Sequence, residues 1–200
     1  MKVLYALDLG NSEIAKIMDS MKYILDPSSS SKCHITARGP YSRQYKQYNM
    51  DTIKSAVKGA CIEIVGIGNF FEYGQGTVYY KCNGKFLRDI WYKPDFGKDY
   101  NPHITIYNGD DRNYARAIYD IGHEYAFDAR VYPTKLYPII ANGNQAVMTM
   151  KMEVDNRYIR EITGNDVMHV ESFNKSTALD MYEKLCGRMQ NIVSDECAVR

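Results

Sequence analysis

His34-Ile35-Thr36 recurs 69 residues later as His103-Ile104-Thr105, and these two tripeptides hold two of the chain's four histidines. Histidine can take or give a proton near neutrality, its ordinary pKa lying at about 6.5. A threonine hydroxyl can donate a hydrogen bond to an anionic oxygen. In an extended strand residues i and i+2 share a face, so each His and Thr point together while the Ile between them points into the core. Two such pairs facing each other would hold two imidazoles and two hydroxyls around one small anion. Cleavage of a phosphodiester is one reaction such a set could serve. One imidazole removes a proton from the attacking oxygen, the other protonates the leaving oxygen, and the hydroxyls donate to the non-bridging oxygens where charge builds. A lone His-x-Thr is usually an ordinary strand; the matched pair carries the reading.

The other reactive side chains read more plainly. His123, in Gly122-His123-Glu124, closes a helix, where a cation suits the dipole, and His169 is taken as structural. Cys33 alternates away from His34 and should face the core. Asp110 and Asp111 after the second motif are a turn and a helix cap rather than metal ligands, since a metal reading needs further ligands. Gly66-x-Gly68 lacks the third glycine of a dinucleotide fingerprint and reads as a turn.

The elements that must position the motifs follow from periodicity. Lys2–Leu7 reads as a strand. Ile14, Ile17, Met18, Met21, Ile24 and Leu25 recur at three and four, predicting an amphipathic helix over 13–25. A serine-rich loop leads into the first motif strand, 32–38, which ends at Gly39-Pro40. A second helix is expected over 51–60, strands over 61–65 and 77–82, a short helix over 85–92 and the second motif strand over 102–107. A helix over 111–122 and strands over 129–136 and 145–154 complete the first 155 residues. Residues 156–200 read as an extension on the same domain, with a strand at 167–171 and a helix at 177–193 capped by Ser176.

Composition narrows the class. The chain has 200 residues, 45% hydrophobic, with 25 basic against 24 acidic side chains. That suits one sizeable domain, or two small lobes sharing a core, and no coating of duplex DNA by bulk charge. A mononucleotide or short RNA in a local pocket remains compatible. The five cysteines are odd in number and form no Cys-x-x-Cys, which fits a reducing compartment. No membrane span or signal segment is expected, so the expected location is cytoplasmic.

The paired motifs, Cys33-His34-Ile35-Thr36-Ala37 and Pro102-His103-Ile104-Thr105-Ile106, resemble those of the two-histidine (2H) phosphoesterase superfamily, the LigT-like or 2′-5′ RNA ligase-like proteins. The opening Tyr5-Ala6-Leu7-Asp8-Leu9 followed by a helix is similar too. The resemblance covers roughly residues 1–155. It implies an α+β fold of two pseudo-symmetric α/β lobes, each with an antiparallel-rich sheet and flanking helices, and an active-site cleft between them. It also implies a phosphodiesterase that needs no metal or other cofactor, acting on 2′,3′-cyclic phosphates or 2′-5′ linked RNA ends and small nucleotides. His34 and His103 would be the acid–base pair, and Thr36 and Thr105 the phosphate ligands. By period two, Arg38 continues the first motif face and Tyr107 the second, and Tyr41 stands at the mouth of the first motif strand; these three are the expected substrate-binding residues. Cleavage of a cyclic oligonucleotide signal and a nucleotide-binding module without turnover are the alternatives. Oligomeric state is left open.

Overall fold

The computed structural model describes residues 2–41, 47–90, 101–142, 145–147, 152, 154–167 and 173–198. The side chains at 2, 38–41, 47–50, 52, 88–90, 141–142 and 145–147 lie outside the described residues. Among the described residues the fold is α+β, with six α-helices and eight strands in one sheet.

The strands are β1 (Lys2–Asp8), β2 (His34–Tyr41), β3 (Ile62–Asn69), β4 (Thr77–Asn83), β5 (His103–Asn108), β6 (Asp128–Val131), β7 (Lys135–Asn142) and β8 (Gln145–Val147). Their order is β6-β3-β4-β5-β2-β1-β7-β8, and each neighbouring pair is antiparallel. The helices are α1 (Glu13–Leu25), α2 (Gln47–Val57), α3 (Lys85–Ile90), α4 (Arg112–Glu124), α5 (Asn156–Thr163) and α6 (Lys175–Ala198). The two motif strands therefore lie side by side at the middle of the sheet.

Helix α1 begins where Ser12 accepts the Ala15 N–H and spans the predicted 13–25. Its apolar stripe buries Ile17, Met18, Met21 and Ile24 completely. On the sheet, Val3, Leu7, Ile35, Ile64, Tyr80 and Ile104 join the same core as α1, α4 and α6. Tyr80 donates its hydroxyl to Met21 Sδ at 3.2 Å and lies 3.2 Å from the Tyr182 hydroxyl, tying β4, α1 and α6 together. Val131 still pairs with Ile62, and four residues on Lys135 pairs with Asp8. At no more than about 3.6 Å per residue, so short a link requires the sheet to curl until its β6 edge approaches β1.

Several expectations are corrected. Gly66-Ile67-Gly68 is no turn but lies inside β3. Gly66 has φ +108° and marks a register shift between Ile64 and Ile67, a β-bulge that needs a left-handed residue. The predicted strand 129–136 is two strands, because the chain changes partners at Tyr132-Pro133-Thr134, where proline has no N–H for a ladder. The first motif strand runs through Gly39-Pro40 to Tyr41. Helix α2 starts at Gln47 and ends at Val57 rather than spanning 51–60. Helix α6 is capped by Asn174, whose Oδ1 accepts the Thr177 N–H at 3.1 Å, and not by Ser176. Helix α5 was not foreseen; Asp155 caps it, accepting from Arg157 and Tyr158, while only Ile159 and Thr163 are buried. Residues 168–171 of the expected strand at 167–171, with His169, lie outside the described residues, as do residues 91–92 of the short helix and much of 145–154.

Candidate active site

Ile35 pairs with Ile104, and both are 0% exposed. In an antiparallel pair the neighbours of that bridge run opposite ways, so His34 stands across from Thr105 and Thr36 across from His103. All four project from the face opposite the two isoleucines, and all four are half-buried. His34 and His103 are diagonal neighbours, for which cross-strand separations are roughly 7–8 Å. That spacing lets two imidazoles reach one phosphate from opposite sides.

The two motifs are built alike in detail. His34 Nδ1 lies 2.8 Å from the Lys32 carbonyl and His103 Nδ1 2.9 Å from the Asn101 carbonyl. A carbonyl can only accept, so each Nδ1 carries the proton and each neutral ring keeps its lone pair on Nε2. The outer neighbours match as well. Asp8, Leu7 and Ala6 of β1 pair with His34, Ile35 and Thr36, as Lys81, Tyr80 and Tyr79 of β4 pair with His103, Ile104 and Thr105. Directly after the threonine, both strands carry one extra residue: Ala37, between the Ala6–Thr36 and Tyr5–Arg38 pairs, and Ile106, between the Tyr79–Thr105 and Val78–Tyr107 pairs.

Those bulges bear on the expected binding residues. Period two fails across an extra residue, so neither Arg38 nor Tyr107 continues the motif face by simple alternation. Tyr107 shares the register position of the core residue Val78. It is 7% exposed and packs edge-on against Tyr114 at 5.2 Å between centroids. It nonetheless lines a cavity with His34 and Thr105. Arg38 and Tyr41 occupy β2 opposite Tyr5 and Val3, and their side chains lie outside the described residues.

That cavity, about 260 Å³, opens where β2 begins and β5 ends, and is lined by Lys22, Asp26, Ser29, Ser31, His34, Thr105, Tyr107 and Asn108 among others. Lys22 belongs to the site although the motif search missed it. The signal was present: Lys22 falls on the apolar stripe of α1, four residues from Met18 and three from Leu25, where a lysine is out of place. Behind the motif, Asp19 of α1 accepts the Cys33 N–H at 2.6 Å and so fixes the chain just ahead of His34. Burial raises the Asp19 pKa, opposed by that hydrogen bond and by Lys32 and Lys22.

The far flank is aromatic. The rings of Tyr79 and Phe70 lie 4.9 and 5.2 Å from the His103 ring, and 4.5 Å from each other. Asn101 donates its side-chain amide to the Tyr79 hydroxyl at 3.3 Å. Burial lowers the His103 pKa, opposed by the Asn101 carbonyl. Burial also takes His34 down to about 4; the Lys32 carbonyl opposes this, while Lys22 and His103 add to it. Burial thus favours the neutral form of both imidazoles.

The remaining candidates have structural partners. Asp111 caps α4, accepting the Tyr114 N–H at 2.9 Å, and pairs with Lys175. His123 sits in the last turn of α4 with its ring 4.4 Å from that of Tyr119. Cys33 is buried, and burial pushes its thiol far above the ordinary range, which leaves no nucleophilic thiolate. Among the described residues no three His, Cys, Asp or Glu side chains converge on a metal position, and no helix is long and apolar enough to cross a membrane. The chain matches no model of a known protein family and no curated protein.

Proposed function

We propose that the chain is a phosphodiesterase of the two-histidine type, acting on 2′,3′-cyclic phosphates or 2′-5′ linked RNA ends and small nucleotides. One observation carries the reading. Two His-Ile-Thr segments lie on adjacent central strands, with the same Nδ1 anchor, the same neighbour register and the same bulge after the threonine. The repeat supports two related halves meeting at β2 and β5, each contributing one acid–base group and one hydroxyl.

The chemistry follows from the flanks. Lys22 beside His34 disfavours a second positive charge there, so His34 acts through its Nε2 lone pair as the base on the attacking hydroxyl or water. His103 is flanked instead by the Tyr79 and Phe70 rings and anchored on the Asn101 carbonyl, which favours the protonated ring, so His103 takes a proton as the anionic substrate arrives and passes it to the leaving oxygen. Thr36 and Thr105 donate to the non-bridging oxygens. These four side chains supply both proton transfers and the oxyanion contacts, so the reaction is expected to run in EDTA.

The test is turnover, in EDTA, of 2′,3′-cyclic nucleotides, 2′-5′ and 3′-5′ oligoadenylates and cyclic di- and trinucleotides. Cleavage of one class is expected, with His34→Ala and His103→Ala each lowering kcat by at least ~10²-fold, as loss of a general acid or base does. Cleavage confined to the cyclic oligonucleotides would redirect the reading to a signal-degrading enzyme. Nucleotide binding with no turnover, unchanged by either substitution, would leave a binding module and refute catalysis.

A further inference from the structure

Lys22 is 6% exposed, and a lysine is almost never buried that deeply without a partner. Its Nζ donates to Ser31 Oγ at 2.6 Å, and among the described residues it makes no ion pair. A cation in the last turn of α1 suits the helix dipole, but an exposed lysine would do that without being desolvated. Two carboxylates of the same helix end carry other hydrogen bonds. Asp19 accepts from the Cys33 N–H, and Asp26 Oδ1 accepts from the Ser28 N–H at 3.1 Å and from the Ser28 hydroxyl. The ammonium lines the cavity of about 260 Å³ with Asp26, Ser29, Ser31 and Asn108, a space several times the ~30 Å³ share of one water. Its lining takes in His34 and Thr105 but neither Thr36 nor His103, so it lies to one side of a phosphorus held between the histidines.

Resting on the reading above, we propose that this cavity is a second phosphate subsite. Lys22, with the Ser29 and Ser31 hydroxyls, receives a phosphate that flanks the reacting one. The chain then selects oligonucleotides or phosphorylated ends over a bare cyclic mononucleotide. Lysine serves phosphate as a point charge, and the serines add neutral donors.

Three probes test this: 2′-5′ diadenylate with no terminal phosphate, and the same dinucleotide carrying a 5′- or a 3′-phosphate. Their dissociation constants would be measured by calorimetry in EDTA, in a His103→Ala background so that the probes stay intact. One phosphorylated probe is expected to bind at least ~10-fold tighter than the bare one, about 1.4 kcal/mol. Adding Lys22→Gln should collapse that ratio to within about twofold, and Lys22→Arg should restore part of it. Equal affinity for all three probes, or a preference that survives Lys22→Gln, would overturn the subsite. If Lys22→Gln does not fold, Ser31→Ala reads the same ratio. The catalytic reading fails separately: a Lys22-dependent preference without turnover by the wild type would keep the subsite and remove the phosphodiesterase.

Discussion

At the scale of single residues, the proposed mechanism requires two imidazoles that stay neutral until an anion arrives. The His34 pKa of about 4 lies below the ~6.5 of an unfolded histidine. Above pH 6.5 neither state binds the proton and the group gives no slope. As pH falls from about 6.5 towards 4, the unfolded chain takes up a proton that the folded protein refuses, so stability is lost on acidification. The urea midpoint of the wild type should therefore drop between pH 7 and pH 5 by more than that of His34→Gln. Equal drops would mean that His34 titrates normally. The kinetics carry the same sign: kcat/KM reports the free protein and kcat the complex, whose phosphate charge raises imidazole pKa values. The acid limb of kcat should lie at higher pH than that of kcat/KM, and coincident limbs would count against the mechanism. The motif residues were legible in the sequence because alternation alone separates His and Thr from Ile. Lys22 was harder to find, since its role depends on the 26–33 loop folding back over the end of α1.

Elements decide whether those residues meet, and here the close approach of β3 to β4 is the sensitive point. A Cβ added at Gly68 would lie 2.5 Å from the Tyr79 ring. Tyr79 is 5% exposed and its ring lies against those of Phe70 and His103, so a displaced ring would press on the His103 imidazole. Gly68→Ala should cost about 1–3 kcal/mol by overpacking and lower turnover besides. Gly68→Ala with Tyr79→Leu, which removes the obstructing ring, should recover most of the stability. A Gly68→Ala protein with wild-type stability and rate would show that the contact is slack. The glycines were visible in the sequence but not their purpose. Gly66 serves a bulge and Gly68 a ring on the next strand, and both depend on a partner that local spacing does not reveal. The bulges after Thr36 and Thr105 were hidden likewise, so extrapolation by two beyond either threonine has no support from the register. Helix α5 escaped because its buried stripe is only Ile159 and Thr163.

For the whole molecule the open question was whether the C-terminal helix is an appendage or part of the core. Its apolar stripe was readable, but the sheet order that seats it was not: β7 returns to pair with β1 across more than 120 residues of sequence, and no local pattern announces so distant a partner. In the folded chain, Met181, Tyr182, Leu185, Cys186 and Met189 of α6 are 0% exposed and share one cluster with Ile17 and Met21 of α1, the helix that also carries Lys22 and Asp19. A core shared this way has no second apolar cluster to hold α6 if the sheet melts. Leu185→Ala should therefore cost about 2–5 kcal/mol, while Val193→Ala, half-buried in a later turn, should cost well under that. The shape of the transition tests the point beyond its size. If α6 is integral, urea unfolds wild type and Leu185→Ala in one step, with near-UV tyrosine ellipticity and far-UV helical ellipticity falling together. If α6 were a separate layer, Leu185→Ala would split the curve, far-UV helical ellipticity falling first while the near-UV tyrosine signal persists. The site would then survive on a sheet that had lost its last helix, an outcome the shared cluster argues against, because the helix that holds Lys22 beside His34 is itself packed on α6.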